Sequence, residues 1–366
     1  MTATSLPPRC YLIAEAGSNH DGDLDVAHQL VDAAADAGAD AVKFQLFTAE
    51  ELYPATCGVV ETPIGMVDFF ELLREMELPS DWLPELRDHA DARSIDFLCT
   101  PFDVDAVRRL DELGMRAMKV ASPELTDHAL LRAVAATGRS VILSTGMSTL
   151  GDIEESVAVL RGAGATELTV LQCVTAYPTP LDQLHLGVIP LFARAFGVRT
   201  GLSDHSTDPV LAPSVAVALG GSLIEKHVTM SRAEGTGPDH PFAIEPDELR
   251  ALVAAVRALE ALPEADRLPA LEEAHGPELV EAIIGSRTKV ISAAEAELAA
   301  CDRRAIHSLR AIEAGEVLDD SNVKVLRGER NLRPGLHPRH LHTILGARAT
   351  RAVAPGDGIV WADLLS

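Results

Sequence analysis

Two short stretches end an apolar run in charge. GLSDHS (201–206) closes on Ser203, Asp204 and His205, and LIEKHVT (223–229) places Glu225, Lys226 and His227 at the same kind of position. Other apolar runs end alike. Glu15, Asn19 and His20 follow the first, Lys43 and Gln45 the second, and Thr100 the third. Lys119, Ser122 and Glu124 follow the fourth, Ser144 and Thr145 the fifth, and Thr175 and Tyr177 the sixth. A buried charge is costly unless it is paired or bound to a ligand. One such strand end reads as a structural salt bridge; eight in phase read as a site. Lys43 and Lys119, with Ser122, Ser144 and Ser203, compose a cationic, hydroxyl-rich pocket suited to phosphate or carboxylate. Glu15, His205 and His227 are groups that hold or flank a divalent cation. Two histidines without cysteine fit Mn²⁺ better than a closed zinc site. Such incomplete ligation leaves room for water and substrate. Taken alone, two distant histidines are more often structural or solvent-facing than ligands.

Eight strand-like runs must carry these groups. They centre near Ile13, Val42, Phe97, Met118, Val141, Thr169, Thr200 and Leu223. Most gaps between them are about 20 to 30 residues, one strand-plus-helix unit. The intervening segments, such as DLDVAHQLVDAAADAGAD, have apolar residues at helical spacing and a glycine stop. The gap after Val42 is longer and adds the loop TAEELYPATCGVVETPIGM and an extra helix. The pattern predicts an α/β chain with a (β/α)8 TIM barrel, whose catalytic residues gather at the C-terminal ends of the strands. A doubly wound sheet is the rival, but the first turn, EAGSNHDGD, has no G-x-G-x-x-G or phosphate-loop pattern. No leucine-rich repeat is present. Residues 1–265 form the expected barrel, 266–290 a polar linker and 291–366 a small β-rich module. Within that module LRAIEAGEVLDDSNV and TRAVAPGDGIVWADL resemble each other, which implies internal pseudo-symmetry.

Composition narrows the partners. The 366 residues are 47 % apolar, enough for a sizeable core, and carry a formal net charge of −24. Nucleic acid and anionic membrane surfaces select basic faces, so neither is expected as a partner. An anionic small substrate remains compatible, because a few lysines can dominate one pocket. The five cysteines include no C-x-x-C pair, which fits a reducing compartment. MTATSLPPRC lacks the charged-then-apolar pattern of a signal peptide, and a cytoplasmic location is expected.

At these residues the chain resembles the sialic acid synthase family: the N-acetylneuraminate synthases and their bacterial nonulosonate relatives. The matching stretches are IAEAGSNHDGDL, GADAVKFQLF, FLCTPFD, MKVASPE, ILSTGMS, QCVTAYPTP, GLSDHS, EKHVT and GPDHPFAIEP, in family order. AIEAGEVL and LRPGLHP resemble the family's antifreeze-like SAF (β-clip) domain. The resemblance implies condensation of phosphoenolpyruvate with an open-chain N-acylated hexosamine. It implies that His205 and His227 bind Mn²⁺ or Mg²⁺ and that Glu15 sits beside a metal-bound water, the three forming the catalytic set. It implies that Lys43, Thr100, Lys119, Ser122, Ser144 and Ser203 hold phosphoenolpyruvate. Gln45, Glu124, Thr175, Tyr177 and Asp239 would lie toward the sugar or its partner. It further implies a domain-swapped homodimer in which a SAF-domain arginine, matched to Arg304, reaches the partner's barrel. The chain departs from the family pattern at Pro123, Thr175, Ala305 and the 49–66 loop, mostly on the sugar side. Another aldose acceptor therefore stays open, as does a non-catalytic sugar-binding protein.

Overall fold

The computed structural model describes residues 6–7, 9–62 and 65–364. Eight parallel strands form the barrel: β1 Tyr11–Gly17, β2 Ala41–Leu46, β3 Asp96–Pro101, β4 Ala117–Val120, β5 Ser140–Ser144, β6 Leu168–Cys173, β7 Arg199–Asp204 and β8 Leu223–His227. The hydrogen-bonded order is β3-β2-β1-β8-β7-β6-β5-β4. β3 and β4 stand side by side without a ladder, so the barrel closes there by packing.

The crossovers are helices for local reasons. In Leu24–Ala37, Asp23 caps the start by accepting from the N–H groups of Asp25 and Val26, and Gly38 (φ 81°) ends it in the left-handed conformation. An Asp cap of this kind contributes about 0.5–2 kcal/mol. Ala27, Leu30, Val31, Ala34 and Ala37 are the buried stripe. They join the large apolar cluster between the strands and the helical ring.

A second, smaller apolar cluster fills the barrel itself. Ile13, Ala41, Leu98, Ala117, Ile142, Leu171 and Leu223 belong to it. Gly201 completes their layer, since a Cβ there would meet the Leu223 carbonyl oxygen at 1.9 Å. Strand side chains alternate between faces, so the next inward position on each strand is two residues on. Those positions are Glu15, Lys43, Thr100, Lys119, Ser144, Cys173, Ser203 and Glu225, and all are buried. A polar floor thus rests on an apolar plug.

Residues 264–284, which overlap the expected linker of 266–290, hold two helices, Glu264–His275 and Pro277–Ile284. Leu271, Val280, Ile283 and Ile284 give them a buried face within the main core. The chain is therefore held against the barrel here and returns to its rim. The insertion after β2 forms a short helix Ala49–Leu52, a hairpin of Val59–Thr62 and Gly65–Asp68, and helix Phe69–Glu75. Its tip at residues 63–64 lies outside the described residues. The C-terminal module has the antiparallel pair β9 Ala305–Ser308 and β10 Val323–Leu326. Its two similar segments pair reciprocally: Ile312 and Val353 exchange backbone hydrogen bonds of 3.0 and 2.9 Å. Among the described residues no helix is long and apolar enough to cross a membrane.

Candidate active site

The polar floor opens into a cavity of about 310 Å³ at the C-terminal ends of the strands. Two lysines and two glutamates form its centre. Lys43 Nζ lies 2.6 Å from Glu15 Oε2 and 3.6 Å from Glu225 Oε2, and donates to Thr100 Oγ1 at 2.9 Å. Lys119 Nζ lies 3.5 Å from Glu225 Oε1, which also accepts from Ser203 Oγ at 2.9 Å. Gln45 Nε2 donates to Glu15 Oε1 at 2.8 Å.

The two carboxylates are not equivalent. Burial raises Glu15 to about 7; Lys43 opposes that rise and Glu225 adds to it. Burial also works against the charge on Glu225, but Lys119 and Lys43 together hold it down to about 2. Burial lowers Lys119, with Glu225 offsetting only part of the effect. Lys43 is raised, because Glu15 and Glu225 outweigh the burial that would lower it. One proton on Glu15 would leave the cluster of four net positive, which suits an incoming anion.

The hydroxyls around these lysines have capacity to spare. Ser144 Oγ and Thr175 Oγ1 are buried without a hydrogen-bond partner. Ser122 Oγ accepts from the Gly146 N–H at 2.9 Å, leaving its own proton for a ligand. Buried polar groups are normally satisfied, and an oxyanion bound in the cavity would satisfy Ser144, which lines it.

His205 and His227 stand over the floor, ring centroids 5.4 Å apart. His205 lines the cavity and its Nδ1 meets the Val174 carbonyl oxygen at 2.7 Å, which leaves Nε2 as the nitrogen available to a ligand. His227 Nδ1 is buried without a hydrogen bond, 3.5 Å from Asp239 Oδ2. Burial and the neighbouring His205 hold His227 well below the usual histidine value, so it is neutral and free to ligate. Burial opposes charge on His205, yet Cys173 and the Val174 carbonyl lift it to about 9; the environment favours positive charge. Burial raises Asp239 to about 6. Two imidazoles beside a carboxylate fit a divalent cation whose remaining positions go to water and substrate. Among the described residues no three His, Cys, Asp or Glu converge as a full cage.

Tyr177 lines the cavity and packs against His205 at 4.5 Å between centroids. Twelve of the fifteen residues expected at the site line the cavity. Glu124, Thr175 and Arg304 do not. Glu124 is fully buried and accepts from Arg304 Nε at 3.1 Å and from Arg327 Nε and Nη2 at 2.8 and 2.7 Å. Arg304 spends three other donors on the carbonyls of Glu51, Phe102 and Val325. It is a strut between module and barrel. The arginines that line the cavity are Arg327, just past β10, and Arg330. Within one chain the module covers its own barrel through the contacts of Arg304 and Arg327. The packed helices of 264–284 explain it, because they lead the chain back to its own rim.

Sequence reasoning named Glu225 as a strand-end residue without giving it a role. Strand alternation places it inward with His227, whereas Lys226 turns outward to pair with Asp204 at 2.7 Å. Asp302, Glu329 and Arg330 of the module also line the cavity. They come from a segment whose sequence carries no strand-end signal.

Comparison with known proteins agrees with this geometry. Residues 30–266 match the NeuB family and residues 303–365 match the SAF domain. The chain belongs to the NeuB family. The spore coat polysaccharide biosynthesis protein SpsE of Bacillus subtilis is 38% identical over 97% of this chain and 93% of its own. N,N'-diacetyllegionaminic acid synthase of Campylobacter jejuni is 33% identical over 93% of this chain and 96% of its own. The crystal structure of B. subtilis SpsE superposes with a TM-score of 0.81 at 37% identity, covering 98% of this chain and 96% of that one. Relatives in the family are synthases of sialic, legionaminic and pseudaminic acids, and the eight-stranded barrel followed by a SAF domain is the architecture found here.

Proposed function

We propose that the protein condenses phosphoenolpyruvate with the open-chain form of an N-acylated hexosamine, giving a nonulosonic acid and phosphate. The observation that carries this reading is the polar floor. Two buried lysines lie under buried hydroxyls without partners, beside a glutamate that titrates near neutrality and a pair of histidines.

Lys43 and Lys119 offset the phosphate and carboxylate charges, and Ser122, Ser144 and Ser203 orient them. Mn²⁺ or Mg²⁺ held by His205 and His227 would supply Lewis acidity toward the sugar aldehyde. The enol carbon of phosphoenolpyruvate attacks the aldehyde carbon, and the carbonyl electron pair moves to oxygen, which takes up a proton. Positive charge develops at the ester carbon, beside the Glu15 and Glu225 carboxylates. Water adds there and passes its proton to Glu15. Cleavage of the C–O bond then releases phosphate and leaves the keto acid.

The acceptor end has two unlike walls. Leu52, Tyr53, Phe69, Leu73 and Met76 make one apolar wall, and Asp302, Arg327, Glu329 and Arg330 make the other charged. An acceptor with methyl-bearing acyl or deoxy groups on one side and N–H and O–H donors on the other suits this cleft. A diacylated trideoxyhexose, the kind of sugar a diacetyllegionaminic acid implies, meets that description better than a plain aldose. Exchange of modules between two copies would keep every module–barrel contact, made across subunits, and we include that homodimer in the proposal.

The test measures phosphate release from phosphoenolpyruvate and Mn²⁺ with a panel of acceptors. The panel holds N-acetylmannosamine, a 2,4-diacetamido-2,4,6-trideoxyhexose and aldoses without acyl groups. Turnover should be fastest with an acylated sugar. Preference for an unacylated aldose would replace the acceptor assignment, and no turnover with any of them would overturn the synthase reading.

A further inference from the structure

Glu295 belongs to the first turn of the C-terminal module, yet it is fully buried at the barrel rim. Its carboxylate is held by backbone N–H groups. Oε2 accepts from Met147 N at 2.8 Å and from Thr175 N at 2.7 Å, and Oε1 accepts from Ser292 N at 3.1 Å. Met147 and Thr175 follow β5 and β6, so one side chain from the module ties two barrel loops together.

Those loops carry the phosphoenolpyruvate end of the site. Ser144 is the last residue of β5, three positions before Met147. Gly146, between them, donates to Ser122 Oγ, and a Cβ on it would meet Thr175 Oγ1 at 2.1 Å. The loops after β4, β5 and β6 are thus in contact through Ser122, Gly146 and Thr175. Met147 is also one of few non-glycine residues with positive φ, 56°. A side chain in that conformation persists only where its surroundings over-determine it, and the Glu295 carboxylate on its N–H does so. Neighbouring bonds anchor the segment that delivers Glu295. Lys289 Nζ donates to Gln172 Oε1 at 3.4 Å, and Ser292 Oγ donates to Gln183 Oε1 at 2.8 Å.

We propose that Glu295 is a positioning residue that links docking of the C-terminal module to the shape of the phosphoenolpyruvate subsite. The proposal rests on the assignment of phosphoenolpyruvate to this cavity. With the carboxylate in place, the loops hold Ser122 and Ser144 at their spacing over Lys119. Without it, Met147 relaxes out of the left-handed region and the two serines lose their fixed separation. The charged acceptor wall belongs to the same module, but Arg304 and Arg327 tie it to Glu124 independently of Glu295, so the effect falls mainly on one substrate.

The experiment uses the full chain carrying Glu295→Ala or Glu295→Gln. Three quantities are read: phosphoenolpyruvate affinity by calorimetry without acceptor, KM for each substrate, and amide exchange at Met147 and Thr175. Loss of two charge-assisted bonds predicts phosphoenolpyruvate binding weaker by about 10-fold in Glu295→Ala. Glu295→Gln keeps one acceptor oxygen and should fall between it and the native protein. Acceptor KM should stay within about twofold, and the two amides should exchange faster while the barrel core stays protected. If Glu295→Ala fails to fold, Glu295→Gln decides alone. Native-like phosphoenolpyruvate affinity in the folded variants, or an equal rise in both KM values, would overturn the positioning role and leave the synthase reading intact. A native protein that binds no phosphoenolpyruvate would overturn both.

Discussion

The floor of the cavity and its mouth are built by different rules. Each floor residue lies two positions beyond an apolar plug residue on a regular strand, as Glu15 does beyond Ile13 and Lys119 beyond Ala117. The ladder fixes their spacing, and their charges balance within the group. The mouth is assembled from the insertion after β2 and from the module. These bring Tyr53 and Asp302, 249 positions apart, into hydrogen-bond contact. Strands hold a reaction centre rigid, whereas loops and an added domain change without disturbing the ladder. The comparison teaches that the reaction belongs to the floor and acceptor choice to the mouth.

Removing a histidine breaks the comparison most severely, because His205 and His227 sit where floor and mouth meet. His205→Ala and His227→Ala should each lower turnover by more than about 100-fold, beyond the 10–100-fold cost of losing an outer-shell partner. Melting temperature should change little, and titration with Mn²⁺ should show loss of the cation site. Near-native turnover after exhaustive chelation would contradict the assignment.

A paired experiment sharpens the division. Lys43→Met or Lys119→Met removes a charged partner from the floor and should weaken phosphoenolpyruvate binding about 10–100-fold by calorimetry. Arg327→Ala removes a charge from the mouth. It should raise acceptor KM by about 10-fold while phosphoenolpyruvate affinity stays within about twofold. If Arg327→Ala weakens both substrates equally, floor and mouth are not separable.

The same division explains what the sequence made legible. The barrel, its eight strand ends and the floor were readable because period-two alternation and a regular β-α spacing are local signals. His205, His227, Lys43 and Lys119 all follow from them. Arg304 stays out of the cavity lining for a physical reason. An arginine in the module shows its charge in the sequence but not its direction, and buried carbonyls with Glu124 take four of its five N–H donors. Arg327 carries the same charge and lies 23 positions later; only the packing of β10 against the barrel selects it. The helices of 264–284 were read as linker because charged residues mask the spacing of Leu271, Val280, Ile283 and Ile284. Glu295 left no local signal at all, since its partners are backbone N–H groups.

The smallest effect is a shift in pH dependence, and its sign follows from the floor. Glu15 accepts the proton of the adding water only as a carboxylate. Its pKa is raised to about 7 by burial, with Lys43 opposing and Glu225 reinforcing. The value of kcat/KM should therefore rise with pH through about 7 and fall about 10-fold for each unit below it. Glu225 stays ionised across this range, being held near 2 against burial by Lys119 and Lys43. Asp239 and Asp302, each raised by burial to about 6, are other cavity-lining groups able to shape the rising limb, and Asp239 is the one beside the histidines. Two variants separate Glu15 from Asp239. Glu15→Gln should lower turnover and flatten the profile between pH 6 and 8. Asp239→Asn should keep the limb near 7 and act mainly on acceptor KM. If the limb survives Glu15→Gln and disappears in Asp239→Asn, the titrating base belongs to the mouth, and the placement of the reaction on the floor fails.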